Sequence, residues 1–547
     1  MKKYSIGIDF GTLSGRALLV DVTTGKECAT AVYDYPHGVM SDTFLDGRRL
    51  PPDYALQHPR DYIEVLEHTI PAVLREGGAT ADEIVGIGID FTSCTVLPTA
   101  KDGTPLCFDA RFQNEPHAYV KLWKHHAAQE YADKLTALCA GTPLLARYGG
   151  KVSSEYIFPK IAQTAEEAPA VFDAAAHFVE AGEYLVTYMT GASCRSAGMA
   201  GFKGMWSDAD GYPSDAILTA LSPRLHGIVG TKISGEIGYA GECAGVLTEA
   251  FAKTVGLCAG IPVSVPCIDA HAALPATGIT DTGRMLLILG TSACHIFMSE
   301  KEAPVPGICG IVKGGLLKEY YCYEAGQACF GDHFDWFIGN CVPASYTEEA
   351  KARGVGIHKL LREKASALRI GEGGLVALDF FNGNRSVLMD SDLSGVIVGL
   401  TLNTKCEEIY RALLEAVAFG TRTILDNFVK HGIPVGKLLA AGGIAEKDPL
   451  LMQILADVTD REIGISGSAQ AGALGSAMFG AVAGGAFPTM QDAARVMAKV
   501  SDVVYRPIPE NVAAYDALYA EYIALHDYFG RGGNDVMKRL KAIKANA

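Results

Sequence analysis

The chain has 547 residues, 61 of them glycine, and 62 acidic against 47 basic side chains leave a net charge of -15. At 49% apolar and 20% charged it is globular, and roughly 100 to 200 residues per domain predicts two to four domains. So acidic a protein is repelled at long range by nucleic acid and by anionic membrane surfaces, which excludes both as expected partners. The glycine surplus, with no collagen-like period, points to tight turns and close backbone approach to a ligand.

The start, MKKYSIGIDF, has two lysines but no apolar signal core, and no later run approaches ~18 uncharged apolar residues. A cytoplasmic location is therefore expected. YSIGID, then GTLSG, then RALLVDV reads as a β-hairpin with its tip at Gly11 to Gly15 and Asp9 closing the first strand. Asp90 ends a second strand, GIGID, as either a structural or a functional carboxylate. Far downstream MLLIL, GTS and ACHIFMS form a comparable hairpin with Gly290, Thr291 and Ser292 at its turn, which predicts a duplicated domain joined through residues 277–284. LLAAGG then reads as a buried strand running into a glycine turn, with Asp448 as N-cap and Pro449 opening the next helix. A helix N-terminus beside a glycine-rich strand end suits a nearby anion. From 501 onward the chain is expected to be a helical covering tail.

The 14 cysteines run from Cys28 to Cys406 without a CxxC pair and read as reduced, packed thiols. His125, His126, His271 and His333 show no metal-site spacing. GxxxxGK[ST], GxSxG and a strand-to-helix GxGxxG are absent, which removes the P-loop, hydrolase and Rossmann readings. What remains is a pair of glycine-threonine hairpin tips whose amides and hydroxyls can cradle phosphate, with Asp9 placed to hold magnesium through water.

IGIDFGT at 6–12, the GTS hairpin, AGGIAEKDPLLMQILADV and GVIVGLTLNTKCEEIYRALLE at 395–415 resemble the FGGY carbohydrate kinases. The resemblance covers residues 4 to about 485, and within it Leu413 stands where the pattern has a smaller or branched residue. FPKIAQ at 158–163 lacks the tryptophan common elsewhere, as does the branch that phosphorylates ribulose. That branch is also resembled by GIGIDFTSCTVLP, RFQNEPHAYVKLWKHH, CIDAHAALPA and YCYEAGQACFGDHFDWF. The resemblance implies an α/β fold with two ribonuclease-H-like domains of the actin and hexokinase type flanking an ATP and sugar cleft. Residues 1–280 would bind sugar, 281–500 nucleotide, and 501–547 would pack on the body.

It further implies phosphorylation of L-ribulose at its 5-hydroxyl with ATP and magnesium, Asp269 being the catalytic base. An unperturbed Asp is already ionised at neutral pH and could accept the proton as it stands; without the resemblance Asp269 reads equally well as a helix cap. Ser93, Lys203, Asp269 and Glu324 would surround the sugar with Trp123 beside them, although Lys203 and Glu324 alone read as solvated charges. Gly11, Thr12, Arg16, Gly290 and Thr291 would meet the phosphates, Gly442, Gly443 and Glu446 the adenosine, and Asp9 with Asp269 the magnesium ion. The alternatives are a kinase of another ketopentose, such as D-ribulose or xylulose, and an actin-like nucleotide switch. The switch would have no need for Lys203, Asp269 and Glu324 to converge. A homodimer is admitted, but no pattern in the chain specifies one.

Overall fold

Apolar runs broken by glycine turns build two seven-stranded sheets in the computed structural model, which describes residues 3–233 and 235–545. In the first, β1 (Tyr4–Phe10), β2 (Ser14–Asp21) and β3 (Glu27–Asp34) form an antiparallel meander. Helix α1 (Pro59–Gly77) then carries the chain to β4 (Ile84–Phe91), parallel to β1 on its other side. This flank is completed by β5 (Cys243–Val246), antiparallel at the edge, β6 (Pro262–Ser264), parallel to β4, and the two-residue strand Cys267–Ile268, also parallel to β4.

The second sheet repeats the plan. Its hairpin is β7 (Arg284–Leu289) and β8 (Ala293–Ser299), continued antiparallel by β9 (Gly310–Lys313) and β10 (Tyr321–Gln327) in the order β7, β8, β10, β9. On the other side β11 (Lys437–Ala441) and β12 (Ile463–Ser466) run parallel to β7, and β13 (Val500–Tyr505) closes the edge antiparallel. Hairpin, third antiparallel strand, two parallel strands and an antiparallel edge thus occur twice, as the paired glycine-threonine hairpins predicted. Residues 277–283 join the halves without regular structure.

Two expectations need correction. The tail from 501 is not helical throughout, because 500–505 is strand β13; its valines favour a pleated surface and β12 offers an open edge. Helices α2 (Pro509–Gly530) and α3 (Val536–Ala545) follow, with Tyr515 and Tyr522 of α2 buried in the second core. The helix N-terminus beside β11 belongs to a short turn, Gly443–Lys447, and only after it does Asp448 cap the helix Pro449–Thr459 by accepting from the Leu451 amide at 3.0 Å.

The packing between the sheets explains much of the glycine. Helix Ala471–Ala483 leaves the second sheet and packs against β1, β4 and the helix Asp269–Ala276. A Cβ on Gly7 would lie 1.8 Å from Ala473 O, and one on Gly475 would lie 1.7 Å from Ala272 O. These glycines serve helix-to-sheet contact, a use that the sequence reading, with its eye on turns and ligands, did not assign.

Candidate active site

The tips of both hairpins, the carboxyl ends of β4 and β11, and the helix Asp269–Ala276 open onto one cleft of about 440 Å³. Of the predicted residues, Asp9, Thr12, Arg16, Ser93, Trp123, Lys203, Asp269, Gly290, Thr291, Glu324 and Gly442 line it. A second cavity of about 360 Å³ shares Gly290 and Thr291 and is walled by Phe334, Tyr410, Gly443 and Ile444. Gly442 turns between the two at a φ of 99°, where a Cβ would lie 2.5 Å from Leu289 O.

Three predicted residues fall outside the expected arrangement. Gly11 does not line the cleft, and its amide is spent on Ser14 O at 3.0 Å. The Gly290 amide likewise closes its own turn on Ser292 O at 3.0 Å. Among the described residues, the amides of Thr12, Leu13, Thr291 and Ser292 make no hydrogen bond and are the hairpin donors left for a phosphate. Glu446 is exposed and lines neither cavity; one turn of the short helix Gly443–Lys447 carries Gly443, Ile444 and Lys447 to the wall and Glu446 past it.

The polar centre of the cleft is a buried charge cluster. Lys203, 4% exposed, sits on a helix (Ala197–Gly204) whose N-cap Ser196 accepts from the Met199 amide. Its Nζ is 3.5 Å from Glu324 Oε1 on β10, where Arg385 Nη2 donates at 2.9 Å, and His271 Nε2 lies 3.3 Å from Glu324 Oε2. Burial opposes the Glu324 charge, but Lys203, His271 and Arg385 hold its carboxyl well below the usual range. Burial also opposes the Lys203 charge, and Glu324 outweighs it, holding the ammonium well above its ordinary value. Neither is a solvated surface charge.

Asp269 opens the helix Asp269–Ala276, and its Oδ1 accepts from the Ala270 amide at 2.7 Å. Burial pushes its carboxyl up to about 7, against the pull of that hydrogen bond, with Asp9 and Glu324 adding to the rise. An ordinary Asp was expected here; desolvation makes it an unusual one. Asp90 is fully buried, accepts from Ser476 Oγ at 2.6 Å and stands opposite Asp9 in the parallel register. Burial and Asp9 hold its pKa well above the carboxylate range, which fits the structural reading.

Ser93 Oγ is buried without a partner, although it lines the cleft. Trp123 is 37% exposed, and its indole donates to Thr12 Oγ1 at 3.1 Å, so it ties the first hairpin to its own loop across the cleft. Behind them Lys160 of the FPKIAQ stretch is buried, donating to the carbonyls of Cys94 at 2.5 Å and Leu122 at 2.8 Å. One ammonium thus braces both loops that carry Ser93 and Trp123. Lys160, His271 and Arg385 escaped the sequence reading as site residues because each depends on contacts made at long sequence separation. Likewise, His37, His58 and Asp61 bring ligand-type atoms within 4.8 Å of one another despite an unpromising spacing. His37 Nδ1 is already hydrogen-bonded to Asp61 at 2.5 Å, and His58 caps α1.

Comparison with known proteins bears directly on this site. The N-terminal domain of the FGGY family of carbohydrate kinases matches residues 4–275, and its C-terminal domain matches residues 285–484. The chain belongs to the FGGY family of carbohydrate kinases. It is 53% identical to a protein of Bacillus licheniformis named ribulokinase, over 97% of this chain and 98% of that one. A ribulokinase of Halalkalibacterium halodurans is 50% identical over 99% and 98%. Among solved structures, the ligand-bound xylulose kinase of Lactobacillus acidophilus superposes with a TM-score of 0.81 at 18% identity, covering 97% of this chain and 99% of its own. The glycerol kinase of Plasmodium falciparum with ADP gives 0.76 at 17%, covering 96% and 98%. The FGGY kinase fold is therefore shared with sugar kinases far apart in sequence. No helix of the described residues is long and apolar enough to cross a membrane.

Proposed function

We propose that this FGGY kinase transfers the γ-phosphoryl group of ATP to the 5-hydroxyl of L-ribulose. Full-length relatives at about half identity that bear the name ribulokinase support the substrate. The observation that carries the chemistry is the convergence of Asp269, Lys203 and Glu324 on the same cleft as both hairpin tips. A nucleotide switch has no use for that cluster.

In this reading residues 1–280 form the sugar-binding part, 281–500 the nucleotide-binding part, which also lends Glu324, and 501–547 the cover. Ser93, Lys203, Glu324 and Trp123 hold the pentulose so that its terminal hydroxyl reaches Asp269, which accepts the proton as the oxygen attacks. The free amides and hydroxyls of Thr12 and Thr291, with Arg16, receive the phosphates, while Gly442 and Gly443 border the nucleoside. Magnesium suits Asp9 and Asp269: a Cβ on Gly472 would lie 3.5 Å from the Asp9 carboxyl, so the bare glycine leaves room beside it. When bound, the ion would neutralise phosphate charge. Excluding water around the closed cleft would keep ATP from hydrolysis.

The test is ADP formation with L-ribulose, D-ribulose, D-xylulose and no sugar, with the phosphate position read by phosphorus NMR. L-Ribulose should give the highest kcat/KM and a 5-phosphate. ADP release indifferent to every pentulose would refute the proposal.

A further inference from the structure

Arg385 lines the cleft beside Glu324 and Lys203, on the loop between the strands Val376–Leu378 and Val396–Val398. Its guanidinium carries five N–H donors in a planar fork, yet the described residues take only one, through Glu324. The side chain is 30% exposed, so most of it is removed from water. Neutralising Glu324 does not account for it. Glu324 Oε1 already faces Lys203 and its Oε2 faces His271, so a second full cation leaves an excess of donors on the cleft side.

The loop holds Arg385 firmly in place. Asn384 and Asp390 exchange backbone hydrogen bonds at 2.9 Å, and Ser386 Oγ accepts from the Gly326 amide of β10 at 3.2 Å. The C-terminal helices pin the same loop: Lys538 pairs with Asp390 and Lys541 with Asp392, both at 2.7 Å, and Tyr522 donates to Asp379 at 2.8 Å. A fork so placed is built to receive an acceptor.

The chemistry of the proposed substrate names that acceptor. A 2-ketopentose closes its furanose ring through the 5-oxygen, the atom to be phosphorylated. The reacting sugar must therefore be open-chain, with a free carbonyl at C2. Every other oxygen of that chain is a hydroxyl, able to donate to Glu324 or Asp269. The C2 carbonyl can only accept, and Arg385 can only donate. Resting on the pentulose-kinase reading above, we infer that Arg385 donates to the C2 carbonyl and so selects the open-chain ketose from its ring forms and from pentitols.

The experiment compares L-ribulose with ribitol and L-arabitol, its two reduction products, in the native enzyme and in Arg385→Met, with thermal melts confirming that both are folded. The native enzyme should prefer the ketose. In Arg385→Met, kcat/KM for L-ribulose should fall roughly 10- to 100-fold, the scale of one charge-assisted hydrogen bond, with the loss mainly in KM. The loss for the pentitols should be at least several-fold smaller, while the KM for ATP stays unchanged. Equal losses for ketose and pentitols, no loss at all, or a native enzyme indifferent to the carbonyl would overturn the inference. A native enzyme inactive on every pentulose would instead sink the reading beneath it. If Arg385→Met does not fold, Arg385→Gln, which removes the charge but keeps a polar head in the cleft, should show the same selective loss for the ketose to a smaller degree.

Discussion

Asp269 and Glu324 are carboxylates in one cleft held in opposite states by their neighbours. Glu324 is kept charged by Lys203, His271 and Arg385, whereas burial lifts Asp269 to about 7. A neutral isostere should therefore be tolerated structurally at 269 and not at 324. Asp269→Asn is expected to lower kcat by about 10²-fold or more with little change in nucleotide affinity or urea midpoint. Glu324→Ala leaves the buried Lys203 and the partly buried Arg385 without their anion and should cost about 3–5 kcal/mol of stability in addition to activity. Steady-state rates, ADP titration and urea unfolding of both variants separate the two roles. Lys160 works at the same scale through other residues, since its three carbonyl partners lie on the segments carrying Ser93 and Trp123.

Among the elements, the helices Asp269–Ala276 and Ala471–Ala483 matter most, because one presents Asp269 and the other presses against it. Their backbones approach so closely that Gly475→Ala would drive a methyl group to 1.7 Å from Ala272 O. The helix must shift, and overpacking of this kind costs about 1–3 kcal/mol. A fall of that size in unfolding free energy should accompany a lower kcat, because Asp269 moves with the first turn of its helix. Full activity in Gly475→Ala would show that the two helices do not jointly fix the base.

For the molecule as a whole, the buried imidazoles make a contribution to stability that is lost in acid, while the raised carboxyls of Asp269, at about 7, and Glu180, at about 8, favour the fold as pH falls. Burial lowers His295 to about 3 and His333 to about 4, and His58 to about 4. An unfolded histidine titrates near ~6.5, so below that pH the unfolded chain takes up protons that the fold refuses. This contribution is complete above pH ~6.5 and declines as pH falls toward about 4. Urea midpoints at pH 7 and pH 5 for the native protein and His333→Phe isolate the imidazole contribution: relative to the native protein, the variant should gain stability at pH 5 over pH 7. The same pH dependence in both proteins would mean that the His333 imidazole finds hydration or a partner on protonation.

Local pattern was enough for the hairpins, the duplicated plan and the Asp448 cap, because strand period, glycine turns and capping chemistry act within a few residues; the membership of most cleft residues was legible only through the resemblance of longer motifs to the FGGY kinases. The expectation that nucleic acid is not a partner rested on the charge of -15 alone, a property independent of fold. Tertiary structure decided the rest. Only the approach of distant segments converts Lys203 and Glu324 from apparent surface charges into a buried pair, raises Asp269 and brings Arg385 into the cleft. Only packing assigns Gly7 and Gly475 to helix contact and carries Glu446 past the cavity wall. Desolvation and long-range ion pairing are sums over neighbours that the chain order does not reveal.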